Sequence, residues 1–457
     1  LETEWNEYPV FHLSFGGVNF YNSSAIDESL SMFIENAEKE YGIEERFKDY
    51  GIRFAAVLKA AHEKTGRRCV VLIDEYDKPL LDVMDTDLRV TDSDGNSLRL
   101  EEYNRNVLKG FYSVFKDADP DLKFVLLTGV TKFSQVSVFS GFNQPKDISM
   151  DSRYEALCGI TLDEMLSFFH EPITQLAKKY KTDYDGMVEM LRKRYDGYHF
   201  SSEMTGVFNP FSLLNCFDKL EMRNYWFATG TPTYLMRLLS HSDKNINELV
   251  GKYYEESQFI DYKADVERPL PMIYQSGYLT VKEYDIDTRY YLLDFPNEEV
   301  RSGFIDMLAS SYFSSGEMVS SWIFNVNRDL RGGKIEEFLK KMTSLLSSVT
   351  YRFQRKQDAL ECERYFQYTF YLIMQMIGHY NTMVEKETSE GRIDCVVECP
   401  NYVYVMEFKK DGSAQSALEQ IRERGYTKPY LTDKRKVFSI GVNFSSEKGT
   451  IEEYVFE

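Results

Sequence analysis

Toward its carboxyl end the chain reads Gly391-Arg-Ile-Asp394, then a turn at Glu398-Cys-Pro-Asn401, then Tyr402-Val-Tyr-Val-Met-Glu407-Phe-Lys409. Both arms are apolar and rich in β-branched and aromatic residues, the pattern of a β-hairpin. Side chains at i and i+2 of a strand share a face, so Glu407 and Lys409 project together with Val403 and Val405, while Tyr404, Met406 and Phe408 point the other way. Asp394 on the neighbouring strand reaches the same place. Asp394, Glu407 and the carbonyl of Phe408 form an oxygen-rich Mg²⁺ site, and Lys409 beside it can stabilise charge on an attacking water. Such a set suits phosphodiester hydrolysis. The plainer alternative is an amphipathic hairpin whose charges face solvent.

The segments around the hairpin add to it. Residues 413–424 read as an amphipathic helix stopped by Gly425, with Ala417, Gln420 and Arg424 along one side. Upstream, Glu361-Cys-Glu363-Arg-Tyr-Phe-Gln367 opens another helix. Lys409, Lys410, Arg422, Arg424, Lys428, Lys434, Arg435 and Lys436 turn the local charge positive, a patch suited either to a phosphate backbone or simply to solvent.

A second constellation lies near the other end. Val70-Val-Leu-Ile-Asp74-Glu75 is a hydrophobic strand ending in acid, the form of a Walker B element. It places its carboxylates at the carboxyl edge of a sheet, where open α/β sheets bind ligands. Asp74 is there a ligand for nucleotide-bound Mg²⁺, and Glu75 orients water. A second apolar strand, Lys123-Phe-Val-Leu-Leu-Thr128, sets Thr128 at the same edge, where a γ-phosphate sensor would sit. No G-x-x-x-x-G-K-[ST] loop occurs in these residues, so ATP with Mg²⁺ is expected only where such a loop precedes them. The chain begins at Leu1 inside what reads as a folded segment, and a truncated N-terminus is expected.

The whole chain bounds these readings. It has 457 residues, too many for one core, and 43% apolar composition, which excludes a disordered chain. The net charge of −19 excludes a chain-wide basic footprint for nucleic acid. Residues 351–457 carry 15 basic and 17 acidic side chains, so nearly all of that excess lies earlier. Six scattered cysteines with no C-x-x-C point to a reducing, cytoplasmic setting. No apolar run is long enough to span a bilayer, so no membrane association is expected. An oligomer is left open.

The elements that must position these residues follow from periodicity. Apolar runs at 68–74 and 123–128 read as strands of a parallel sheet covered on both faces, alternating with helices at 25–41, 53–64 and 103–115. Helical spacing dominates from 161, closing with a β-rich patch at 274–293. A third unit starts near Asn297, with helices and then strands at 393–397, 402–408 and 436–444. The expected architecture is α/β throughout. It comprises a doubly wound α/β core over 1–160, a mainly helical region over 161–296, and a third unit of helices and strands over 297–457.

The ordered motifs carry a family resemblance. Tyr8-Pro-Val-Phe-His-Leu-Ser-Phe15, Val71-Leu-Ile-Asp74-Glu-Tyr-Asp77-Lys-Pro79, Leu127-Thr-Gly-Val-Thr-Lys-Phe133 and Tyr195-Asp-Gly-Tyr-His-Phe200 resemble the AAA-ATPase-like family of anaerobic bacteria. Asp394…Glu407-Phe-Lys409…Gln420 is similar to the PD-(D/E)XK nuclease-superfamily domain fused to it. The resemblance implies an α/β chain with a P-loop ATPase-like parallel sheet core over 1–160, a helical lid or winged-helix-like region over 161–296, and a restriction-endonuclease-like α/β domain over 297–457. It implies catalytic roles for Asp394, Glu407 and Lys409, with Glu363 as a helix acid and Gln420 as a helix partner. It likewise implies nucleotide-binding roles for Asp74, Glu75 and Thr128. A nucleotide-regulated, Mg²⁺-dependent nuclease that meets DNA or RNA through its C-terminal domain is therefore expected. The alternative is a non-hydrolytic regulatory protein built on degenerate forms of both folds.

Overall fold

The computed structural model describes residues 6–44, 47–84, 86–92, 95–132, 145–226, 249–260, 269–312, 316–349, 381–388, 391–448 and 450–457. The chain divides into two compact units, Leu1–Glu298 and Glu299–Glu457. Among the described residues no helix is long and apolar enough to cross a membrane.

The first unit opens with β1 (Val10–Ser14), α1 (Ala25–Tyr41), α2 (Tyr50–Thr65), β2 (Cys69–Asp74), α3 (Leu100–Tyr112) and β3 (Leu122–Leu127). The strands form a parallel sheet in the order β1-β2-β3. Helix α2 starts where Asp49 accepts the N–H of Ile52 and stops at Gly66, whose φ of 67° is left-handed. One sheet face, with Phe11, Leu13, Val71 and Ile73, is buried. It packs on α2 through Phe54, whose ring meets Phe11, Phe33 and Phe111 at centroid distances of 5.5, 5.4 and 5.4 Å.

The other face differs from expectation. Val10, Val70 and Phe124 lie in one register row, and His12, Leu72 and Leu126 in the next. Val10 is 57% exposed and Phe124 52%. An apolar run reports only that a strand's side chains tolerate burial; whether an element lies over them is a tertiary matter. The stretch 82–96, which reads as a loop, also contributes to a short antiparallel hairpin, Arg89–Thr91 with Ser97–Arg99.

Downstream follow α4 (Leu162–Phe168), α5 (His170–Tyr180), α6 (Tyr184–Tyr195) and α7 (Pro210–Lys219). A capping box between Thr161 and Glu164 starts α4. Met165, Ile173, Leu176, Leu191, Tyr195 and Leu213 form a shared helical core. Strands β4 (Lys252–Tyr254), β5 (Thr280–Asp285) and β6 (Tyr290–Asp294) make an antiparallel sheet with β6 central.

The second unit contains α8 (Glu298–Tyr312), α9 (Gly316–Arg331), α10 (Ile335–Val349), β7 (Asn381–Thr388), β8 (Gly391–Glu398), β9 (Tyr402–Lys410), α11 (Ala414–Glu423), β10 (Lys436–Ser445) and β11 (Thr450–Phe456). The sheet order is β7-β8-β9-β10-β11. Only the β9–β10 pair is parallel, and α11 is its crossover. Tyr404 and Met406 face a core that includes Phe338, Leu339 and Met342 of α10. Val403 and Val405 face the opposite core, with Ile421 of α11. The alternation read from the sequence of β9 is therefore the one observed.

Replacing Phe54 with Ala should destabilise the first unit by about 3–5 kcal/mol, because its ring is fully buried among four aromatic neighbours. Denaturant unfolding of the parent and Phe54→Ala chains measures it. A loss well under about 1 kcal/mol would show that this core is not assembled as described.

Candidate active site

Strands β8 and β9 pair antiparallel as far as Cys395↔Met406. One step beyond, Asp394 and Glu407 stand opposite each other. Instead of continuing the ladder, Asp394 turns its side chain in, and its Oδ2 accepts the N–H of Phe408 at 2.8 Å. A strand residue sends its N–H and C=O to the same side, so the Phe408 carbonyl leaves β9 on the Asp394 edge. The hairpin thus gathers the oxygen set that the sequence suggests.

Glu407 is only 3% exposed. Its Oε1 accepts from Nε2 of Gln420 and lies 3.5 Å from Nζ of Lys409. Lys409 Nζ in turn donates to Oε1 of Gln420. The amide of Gln420 therefore bridges the acid and the amine, from a helix that crosses over them. Glu407 Oε2 is buried and has no hydrogen-bond partner among the described residues. An acceptor left unpaired in the interior is costly, and a cation is the partner that suits it. The donor set of two carboxylates and a carbonyl is the hard-oxygen chemistry that Mg²⁺ prefers, so the residues present fit that ion. No group of three or more His, Cys, Asp or Glu side chains that could hold a metal gathers among the described residues.

Burial pushes the Glu407 carboxyl up to about 7, with the charge of Asp394 adding to the rise and Lys409 opposing it. Without a cation, the site holds a proton that an ordinary glutamate would release.

Why the helix reaches this position lies in strand β10. Gly441 is the parallel register partner of Glu407. A Cβ on Gly441 would stand 2.2 Å from the carbonyl oxygen of Ala414 and 2.7 Å from the nitrogen of Leu418. The absent side chain lets α11 settle directly on the sheet over Glu407. Sequence reasoning missed Gly441, although an isolated glycine inside an apolar strand is the signal of a close backbone approach.

The remaining expectations sort as follows. Glu363 lies outside the described residues. Of the basic residues around the motif, Arg422 pairs with Glu457, Arg435 with Glu398 and Asp433, and Lys436 lies 4.3 Å over the Phe438 ring. These three cations are engaged within the protein, so fewer of them are left for a phosphate backbone than the sequence suggests.

In the first unit, Asp74, Glu75 and Thr128 come together at the carboxyl edge of the parallel sheet. The Thr128 hydroxyl donates to Asp74 Oδ1 at 2.5 Å. Glu75 has φ 53°, a left-handed conformation rare for a side chain of this size, and its carboxylate lies beside Gly16. Asp77, part of the same motif but given no role by the sequence, is the buried acid here. Only 1% exposed, it accepts the Thr131 hydroxyl at 2.8 Å and the Thr131 N–H at 2.5 Å, tying the segment after β2 to the segment after β3. Burial raises its carboxyl, and the bonds from Thr131 oppose that rise.

The raised Glu407 carboxyl has a measurable sign. With divalent ions chelated, the unfolded chain releases this proton near 4.5 and the folded chain near 7. Between those values the native state binds the extra proton, so stability falls as pH rises through the window and levels off above it. Glu407→Gln removes this dependence. Its melting temperature relative to the parent should climb between about pH 4.5 and about pH 7; a constant difference would contradict the buried, uncompensated carboxylate.

Comparison with known proteins places these two sites in context. Residues 1–139 match the family described as Predicted AAA-ATPase. Residues 361–454 match the PD-(D/E)XK nuclease superfamily. An uncharacterized protein in the vnfD 5′ region of Azotobacter chroococcum mcd 1 is 31% identical over 463 residues, covering 99% of this chain and 84% of that protein. No solved structure matches. The buried acid–amide–lysine cluster thus falls within the nuclease match and the Asp74–Thr128 edge within the ATPase match, and the chain belongs to the AAA-ATPase-like family that carries a PD-(D/E)XK nuclease-superfamily domain at its carboxyl end.

Proposed function

We propose that the second unit is a Mg²⁺-dependent phosphodiesterase acting on DNA or RNA, governed by nucleotide at the AAA-ATPase-like module. The observation that carries this reading is Oε2 of Glu407, buried and without a hydrogen-bond partner among the described residues, beside Asp394, with Lys409 held over it by Gln420. Asp394, Glu407 and the Phe408 carbonyl would hold the ion, which when bound supplies Lewis-acid polarisation of the phosphoryl group and a more acidic water.

The chain's own residues do the rest. Asp394 stays fixed by the Phe408 N–H, so its carboxylate cannot swing out of the site. Gln420 restrains both Glu407 and Lys409, reducing the reorganisation required when substrate arrives. The Lys409 ammonium, with donors beyond the one given to Gln420, points positive charge at a phosphate oxygen or at the attacking water. Glu363 is the proposed helix acid of the same site. Val403 and Val405, packed with Ile421 beneath the cluster, exclude water from its inner side.

At the other end, Asp74 would hold Mg²⁺ of a bound ATP, Glu75 would orient water, and Thr128 would sense the γ-phosphate. These roles require a phosphate-binding loop on the same sheet edge. The modules are assigned to 1–160, 161–296 and 297–457. The buried free thiols of Cys69, Cys395 and Cys399 support a reducing, cytoplasmic location.

Glu407→Ala and Lys409→Ala should each reduce Mg²⁺-dependent cleavage of nucleic acid by roughly 10²–10⁴-fold, the range for losing a positioned catalytic group. Single-turnover assays on single- and double-stranded DNA and RNA measure it. Cleavage that persists in both variants would remove the assignment.

A further inference from the structure

Two of the three residues that join β9 to α11, and the first residue of the helix, give their backbone N–H groups to the hairpin of β10 and β11. The Asp411 N–H donates to the carbonyl of Phe444 at 2.9 Å. The Gly412 N–H donates to Oδ1 of Asn443 at 2.9 Å. The Ala414 N–H, first in the helix, donates to Oε2 of Glu453 at 3.0 Å. Asp411, at φ 50°, accepts the Ser446 N–H at 2.8 Å and its hydroxyl at 2.6 Å. Asn443 and Glu453 are register partners across β10 and β11, and Asn443 is also the partner of Lys409 across β9 and β10. Two residues back along β10, Gly441 gives α11 its seat.

From these contacts we infer that the β10–β11 hairpin is the positioning device of the site, with Gly441, Asn443 and Glu453 acting through Gln420. The inference rests on the cation-dependent reading above. Among the contacts described, none of the three hydrogen-bonds to the carboxylates of Asp394 and Glu407 or to Lys409 Nζ, so they are positioning residues and not catalytic ones.

Gln420 lies six positions beyond Ala414, about 9 Å along a rigid helix. An ordinary carbon–oxygen contact is about 3.3 Å. A Cβ on Gly441 would stand 2.2 Å from the Ala414 oxygen, so the helix must retreat by about 1 Å. A retreat of that size lengthens and weakens the bonds from Gln420 to Glu407 and Lys409, and a displacement of about 1 Å in a preorganised site can cost roughly 10²-fold in rate. Glu453 adds a carboxylate at the positive end of α11, and its loss frees the first helical N–H. An exposed residue is thereby tied to the geometry of a buried one.

The test uses the full chain and Mn²⁺ alone as the probe. Titration calorimetry is run on the parent and on Glu407→Gln, Gln420→Ala, Gly441→Ala, Glu453→Ala, Glu453→Gln and the doubles of Gln420→Ala with Gly441→Ala and with Glu453→Ala. Gly441→Ala and Glu453→Ala should each weaken Mn²⁺ binding by about tenfold, as the loss of an outer-shell partner does, while Glu453→Gln, which keeps an acceptor, returns most of the affinity. Each double should bind no worse than Gln420→Ala alone, because a residue that acts through Gln420 has nothing left to move. In cleavage assays the same variants should lower kcat and leave KM for nucleic acid unchanged. Should Gly441→Ala fail to fold, Glu453→Ala carries the comparison from a surface position.

Additive losses in the doubles, or parent-like Mn²⁺ binding in both single variants, would overturn the positioning role while leaving the site intact. Mn²⁺ binding that is unaffected by Glu407→Gln would instead overturn the site reading and this inference together.

Discussion

Glu407 carries a carboxylate into the interior of a sheet, and much of the second unit can be understood as the consequence of keeping it there. Removing such a group from water costs several kcal/mol unless it is paired or neutralised. The protein supplies an amide on one oxygen and an ammonium nearby, and among the described residues the second oxygen has no hydrogen-bond partner. A fold selected only for stability would replace this group with a hydrophobe of similar volume. Retaining it, with its proton held up to about 7, marks the position as one where charge is wanted when something else arrives.

The surrounding architecture serves that constraint from two directions. From below, Tyr404 and Met406 anchor β9 against α10, so the strand cannot shift to relieve the buried acid. From above, α11 closes over the acid because β10 has no side chain at Gly441. The helix brings Gln420 within reach of Glu407 and Lys409 together, converting two mobile side chains into one restrained cluster. Small residues are usually credited with flexibility; here a missing Cβ produces rigidity, by permitting backbone contact.

The first unit handles its acids differently. Asp74 stands at an exposed sheet edge and accepts a hydrogen bond from the Thr128 hydroxyl at the end of the next strand, an arrangement with little desolvation cost. The buried acid there is Asp77, and its partners on Thr131 make it a brace between the segments leaving β2 and β3. The two sheets therefore use the same residue type in opposite ways: an open acid with a buried brace beside it, and a buried acid with its braces on the neighbouring hairpin.

Local chemistry was written in the sequence wherever it depended on residues close along the chain. The alternation of β9 fixed which side chains accompany Glu407 and Lys409, because a strand has period two whatever it packs against. The runs ending at Asp74 and Thr128 announced a parallel sheet with polar groups at its edge, and Gly425 announced the end of α11. What the sequence could not disclose were distances between segments far apart in the chain. The exposed row of Val10 and Phe124 looks identical to a covered one, since hydrophobicity does not say which element lies above it. The pairing of Arg422 with Glu457 and Arg435 with Glu398 removed cations that composition alone had offered to a ligand. Gly441 beneath Ala414, and Glu453 at the start of α11, acquire meaning only once β10 lies beside β9, because contact between backbones is decided by three-dimensional packing and leaves no periodic trace in the residues that make it.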